Sequence, residues 1–243
     1  MGELIMNNLT FLRQVPNDDL IILFDLILKS PSSNGKLMDN TKHFSDYLRF
    51  YPENIKKVLP YLIYDLRLYG GWEIDNYFRG IGPSYSDLLR EVAESLNVSY
   101  NKEDTEQQIE ESILRLLFIE VLSHLDDQAC DQIIKELNLD QTECIEVDSK
   151  IEILEYWDKK SEDNRLLTVM VNSLMNYFTR REVMGSSRSK ISELNELMAE
   201  GLSHLKSFLW YFLDISEEKF RITVPSIILI AYLRQITNTL TKF

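Results

Sequence analysis

Glycine is scarce in this chain, at 8 of 243 residues, and proline is scarcer, at 6. Sheet-rich domains turn often and tightly and need more of both, so the scarcity points to helices. Cysteine is nearly missing. Cys130 and Cys144 form no CxxC pair, and two thiols do not make a disulfide scaffold, which suits a reducing compartment. Basic charge is in deficit. There are 26 Lys and Arg against 39 Asp and Glu, a formal net charge of −13. Nucleic acids and anionic bilayers are held largely by Lys and Arg, so direct contact with nucleic acid is not expected. Long apolar runs are also missing. The longest charge-free apolar stretch, Ile222 to Leu233, is twelve residues interrupted by Pro225. A span needs about 20, so integral membrane insertion is disfavoured and the stretch reads as a buried helix. Met1 to Met6 carries neither a basic n-region nor an apolar h-region, which gives a cytoplasmic reading.

What is present is globular. Hydrophobic residues make up 44% and charged residues 27%, enough for a core without staples. The apolar spacing predicts an all-α fold, an irregular multi-helix bundle of about nine to eleven helices around one core. The Ser30 to Gly35 loop divides an N-terminal helical segment, 1–35, from a main helical domain, 36–243. Ser84 with Asp87, and Thr105 with Gln108, have the spacing of capping boxes. Asn17 reads as a helix cap, and Pro60 as a kink inside a helix that starts near Pro52. Ile191, Met198, Leu205 and Phe212 recur every seven residues, which predicts one long packed helix. The last helix, beginning near Pro225, is apolar nearly all round through Ile227, Ile228, Ile230, Ala231 and Leu233. It should lie at the centre of the core, packed against the glycine-rich corner described next.

The standard catalytic signatures do not occur: no GxxxxGK[ST], no GxSxG, no HExxH and no calcium loop. His43, His124 and His204 lie far apart in sequence. Glu120 and His124 share one helix face at i,i+4, but a solvated polar face explains them better than a metal site, which needs three or four ligands. No cofactor is called for. The concentrated signal is a loop. Gly70, Gly71, Gly80 and Gly82 fall within thirteen residues, flank Asn76 and Arg79, and precede Ser84 and Tyr85. Backbone N–H groups, a helix N-terminus and a guanidinium converging there would cradle a carboxylate or phosphate. Alternatively the glycines shape a tight helix corner, and Arg79 pairs with an acid of the chain itself.

Leu66, Gly70-Gly71, Ile74, Asn76, Arg79-Gly80, Gly82, Tyr85 and the Leu88-Leu89…Val92 run resemble the bacterial YaaW-like family of uncharacterised proteins. The run from Phe220 through Arg221, Thr223 and Pro225, then Ile230 to Arg234, is similar to the end of that family. The opening Leu9-Thr10-Phe11-Leu12 with Asp19-Leu20 is similar to its start. The family has been grouped with ubiquinol–cytochrome c chaperones, helical assembly factors, so the resemblance implies a helical fold. Where the family often carries a Gly/Ala-rich apolar stretch, this chain has Ser189 to Leu213, a charged amphipathic segment.

Three readings follow. The first is a helical protein-binding or chaperone-like module without catalytic activity, whose partner is another protein; self-association stays open. The second is a ligand-sensing or enzymatic protein that takes a small anion at the Arg79 loop, assisted by Arg221 or Arg234. The third is a peripheral membrane protein using Phe208 to Leu213 and Ile222 to Leu233 as a hairpin. For the thiols, titration of the unfolded, unreduced protein should find two free groups; zero would contradict the reading.

Overall fold

The computed structural model describes residues 6–28, 43–71, 82–139, 148–159, 164–181 and 188–240. Among them are eleven α-helices, two 3-10 helices and no strand. A 3-10 helix over Asn7–Arg13 leads into α1 (Asn17–Leu28). Next come α2 (Phe44–Phe50), a 3-10 turn at Ile55–Lys57, α3 (Leu59–Gly70) and α4 (Tyr85–Ser95). The middle of the chain forms α5 (Glu106–Ser123), α6 (Asp127–Leu137), α7 (Ser149–Asp158) and α8 (Arg165–Thr179). The end forms α9 (Arg188–Leu197), α10 (Ala199–Ile215) and α11 (Phe220–Leu240). The predicted boundary near residue 35, the Trp72 to Ile81 stretch and Cys144 lie outside the described residues.

The bundle is organised around α11. It packs on α1, α3, α4, α5, α8 and the first 3-10 helix. From Val224 to Leu233 every side chain is buried, Ser226 included. A helix apolar on all sides finds cover only when it is surrounded, and five helices supply it. The central position expected of the last helix is what the structure has. Its start differs. The helix begins at Phe220 and Pro225 lies inside it. Pro225 is its sixth residue, past the first turn, so the proline removes the donor that would reach the Arg221 carbonyl.

Three other local expectations are corrected. Asn17 does not cap α1. Its Nδ2 donates to the Pro52 carbonyl at 2.7 Å, and its Oδ1 accepts from the Ile55 N–H at 2.9 Å. The residue therefore ties α1 to the chain before α3. Pro60 makes no kink, because α3 starts at Leu59 and the proline sits in its first turn, where its fixed φ is compatible with helix. The seven-residue repeat does not make one long helix: α9 and α10 are separate, and the break falls at Met198. Met198 and Leu205 are nevertheless fully buried. Three residues after the break, Gly201 lies so near α5 that an added Cβ would stand 2.3 Å from the Val121 carbonyl oxygen. The two capping boxes form as expected, at Ser84 with Asp87 and at Thr105 with Gln108.

Two polar contacts fasten the N-terminal helices to this core. Arg181 Nε donates to Asp25 at 2.6 Å, joining α1 to the chain just after α8. Tyr47 on α2 donates its hydroxyl to the buried Asp65 of α3 at 2.5 Å. Burial, with the Asp65 charge added, holds the Tyr47 phenol far above its ordinary value. A test of the central helix is Ala231→Trp. The site is buried, so overpacking should lower stability by about 1–3 kcal/mol in urea unfolding.

Candidate functional site

Residues from the three family-like segments meet at one buried polar cluster. Tyr85 opens α4, Arg234 lies on α11, and Asn8 and Phe11 belong to the first 3-10 helix. They converge on Glu110 of α5, which no sequence argument singled out. Arg234 Nε donates to Glu110 Oε2 at 2.7 Å, and Nη2 donates to Oε1 at 3.1 Å. This is the two-point geometry that suits a planar guanidinium and a carboxylate. Tyr85 donates its hydroxyl to Glu110 Oε1 at 2.7 Å. Arg234 Nη1 donates to the Asn8 carbonyl at 2.9 Å, and the guanidinium lies 4.4 Å from the centroid of the Phe11 ring. The Glu110 side chain is only 2% exposed and that of Arg234 13%.

Electrostatics here is a contest between burial and pairing. Burial pushes the Glu110 carboxyl above its ordinary value, while Arg234 and the Tyr85 hydroxyl pull it back. Burial also works against the Arg234 charge, but the hydrogen bonds and charge of Glu110 outweigh it and hold the guanidinium protonated. Burial and Glu110 together raise the Tyr85 phenol. Glu106, one turn before Glu110, adds a second carboxylate 3.8 Å from Arg234 Nη2.

The other named residues are placed as follows. Asn76, Arg79 and Gly80 lie outside the described residues. Gly82 is needed for close approach: an added Cβ would stand 2.1 Å from the Arg67 carbonyl oxygen. The guanidinium of Arg67 of α3 attends this corner. Its Nε donates to the Pro83 carbonyl at 2.6 Å and its Nη2 to the Gly82 carbonyl at 3.1 Å. Ser84 caps α4. Gly70 faces Leu88 and Thr223, so the end of α3 meets α4 and α11 at one point. The Thr223 hydroxyl donates to the Lys219 carbonyl within its own helix. Arg221 Nε donates to the Leu213 carbonyl at 3.2 Å, and its Nη2 is 4.0 Å from Asp214. Arg221 and Arg234 thus each serve acceptors of the protein itself. Pro225 is buried in α11.

Sequence spacing also missed a pairing of histidines. His204 on α10 stacks on His124 at the end of α5, with ring centroids 4.0 Å apart and planes 13° from parallel. The Glu120 carboxylate is 3.6 Å from His124 Nδ1. Parallel imidazoles aim their lone pairs side by side rather than at one point. Among the described residues, no three His, Cys, Asp or Glu are grouped to hold a metal.

The remaining feature is on the surface. Leu202, Leu205, Leu209 and Leu213 bury one face of α10. Tyr211, Ile215 and Trp210 stay 68%, 66% and 61% exposed. Phe208, Tyr211 and Ile215 follow i, i+3, i+7 and form one ridge; Trp210 flanks the outer face on its far side. The first arm of the hairpin envisaged for a membrane is therefore open, but the second, Ile222 to Leu233, is sealed inside the bundle. No helix among the described residues is long and apolar enough to cross a membrane.

Fold and cluster together define an all-helical bundle closed by a buried Arg–Glu–Tyr clasp, with one aromatic helix face left open. Its relatives are bacterial. The chain is similar to a UPF0174 protein of Helicobacter pylori, 23% identical over 236 residues that cover 93% of this chain and 90% of that one. A second UPF0174 protein from the same strain is 21% identical over 82% of this chain and 94% of its own length. A third, from another strain, is 23% identical over 78% and 90%. No family model matches, and no solved structure matches.

The clasp is tested by a double-mutant cycle. Arg234→Met alone leaves the Glu110 carboxylate buried without its partner and should cost about 3–5 kcal/mol in urea unfolding. Adding Glu110→Leu should recover a large part of that loss. Strict additivity of the two substitutions would contradict the clasp.

Proposed function

We propose that this chain is a helical protein-binding module and that the exposed face of α10 is its contact surface. The carrying observation is the contrast between α10 and the rest of the bundle. The large side chains of α11 are sealed, whereas Trp210, Tyr211 and Ile215 stand in solvent within six residues of one helix. Single exposed apolar residues are ordinary, but clustered aromatics carry most of the binding energy in protein interfaces. Tyr and Trp suit such a place because each buries a large ring and keeps a polar handle.

The resemblance to the YaaW-like family, and through it to the ubiquinol–cytochrome c chaperones, supports a role in holding another protein. The departure from that family falls in the same place, since Ser189 to Leu213 overlaps most of α10. A chaperone-like role fits a rigid bundle that offers one face. Capture from the native cell is the test. The full chain and its Tyr211→Glu/Ile215→Glu variant are used as parallel baits, with equal thermal melts showing that both are folded. A stoichiometric protein retained by the first and lost by the second is the expected result. Identical capture by both would remove α10 as the contact surface.

A further inference from the structure

We propose that the α10 face seats a cationic amphipathic helix: a partner segment with an apolar stripe flanked by Lys or Arg at both ends. This rests on the reading of α10 as the contact surface and names the chemistry of its occupant. The argument is the distribution of charge along the ridge. The thirteen residues from Gly201 to Leu213 contain no acid, in a chain with 39 of them. Their basic groups are His204, stacked on His124, and the half-buried Lys206. Acids resume on both sides. Glu193, Glu196 and Glu200 precede the window, and Asp214, Glu217 and Glu218 follow it, all exposed. Nearby cations offset them only in part: Lys135 lines one hollow with Glu193, Glu196 and a further acid, Glu136, Lys219 is engaged by Glu91 and Glu217, and Arg221 reaches Asp214 at 4.0 Å.

This pattern selects among occupants. A second copy would present the same arrangement, acid at both ends of an apolar window. Parallel or antiparallel, such a pair brings acid against acid, and each copy carries a net charge of −13. An anionic bilayer meets the same repulsion. A helix with basic ends satisfies both flanks while its apolar stripe covers Phe208, Tyr211 and Ile215. Complementary charge of this kind also steers encounter and rejects wrong partners. At 1.5 Å per residue the window is roughly 20 Å long, so about four turns of partner helix would fill it.

The test uses the full chain and two labelled synthetic peptides of about four helical turns. Both carry a Leu/Phe stripe; one has Lys at both ends and the other Glu. Fluorescence anisotropy should show binding of the Lys-ended peptide that weakens as salt rises, with the Glu-ended peptide at least roughly tenfold weaker. Tyr211→Glu/Ile215→Glu should abolish binding, and Trp210→Glu serves as a second variant should the first fail to fold. Glu200→Lys/Glu218→Lys should weaken the Lys-ended peptide roughly tenfold and leave the fold unchanged. Equal binding of both peptides, lost in Tyr211→Glu/Ile215→Glu, would overturn the cationic partner yet leave α10 as a contact surface. Binding that persists in that variant would overturn the proposed seat. No binding of either peptide would also overturn it, and the capture comparison then decides the broader reading by itself. A dimer seen in sedimentation and lost in the same variant would assign the face to a second copy and overturn the proposal.

Discussion

The guanidinium of Arg234 is held by a carboxylate, a backbone carbonyl and an aromatic ring from two distant parts of the chain. A charge taken out of water is tolerated only when its partners are in place, and then it fixes them. α5 supplies the carboxylate, the first 3-10 helix supplies the carbonyl and ring, and α4 adds the Tyr85 hydroxyl. These three elements are thereby locked to one register of α11. A shift of one turn along α11 would move the guanidinium about 5 Å and strand Glu110 in the core. The apolar contacts of α11 alone do not set that register, because its stripe is apolar nearly all round and would accept several. The polar clasp supplies the specificity that the hydrophobic surface lacks.

The packing around α11 also draws on residues far apart in the chain. Gly70, Thr223, Tyr85, Phe11 and Arg234 are scattered over more than two hundred residues of sequence, yet each contributes to the packing around α11. Constraints of this sort bear on the scaffold rather than on a reaction centre. The open aromatic side chains belong to α10 instead. Sealed core and open aromatic face are thus separate properties, carried by different helices.

Much of the architecture was legible in the sequence because it is local. Capping boxes depend on residues three apart, and Ser84 and Thr105 declared their helices. The central place of α11 followed from a stripe with no polar side. What failed was set by distant contacts. Asn17 looks like a cap until Pro52 and Ile55 approach it. The repeat at Ile191, Met198, Leu205 and Phe212 reads as one rod, while the near contact of Gly201 with Val121 belongs to the tertiary structure. Glu110 gave no signal, because a glutamate in an amphipathic helix is usually solvated; only the arrival of Arg234 and Tyr85 explains its burial. The His124–His204 stack was hidden for the same reason, eighty residues of chain lying between the two rings.

The position of α11 in the chain has a consequence for synthesis. Residues 220–240 are the last of the described helices to leave the ribosome, yet they form the strut on which α1, α3, α4, α5 and α8 assemble. Until then those helices have half an interior, with their apolar faces turned to water or to one another. Apolar surface held open in this way invites aggregation and the attention of cellular chaperones. The core around this strut therefore cannot be completed until residues 220–240 have been made.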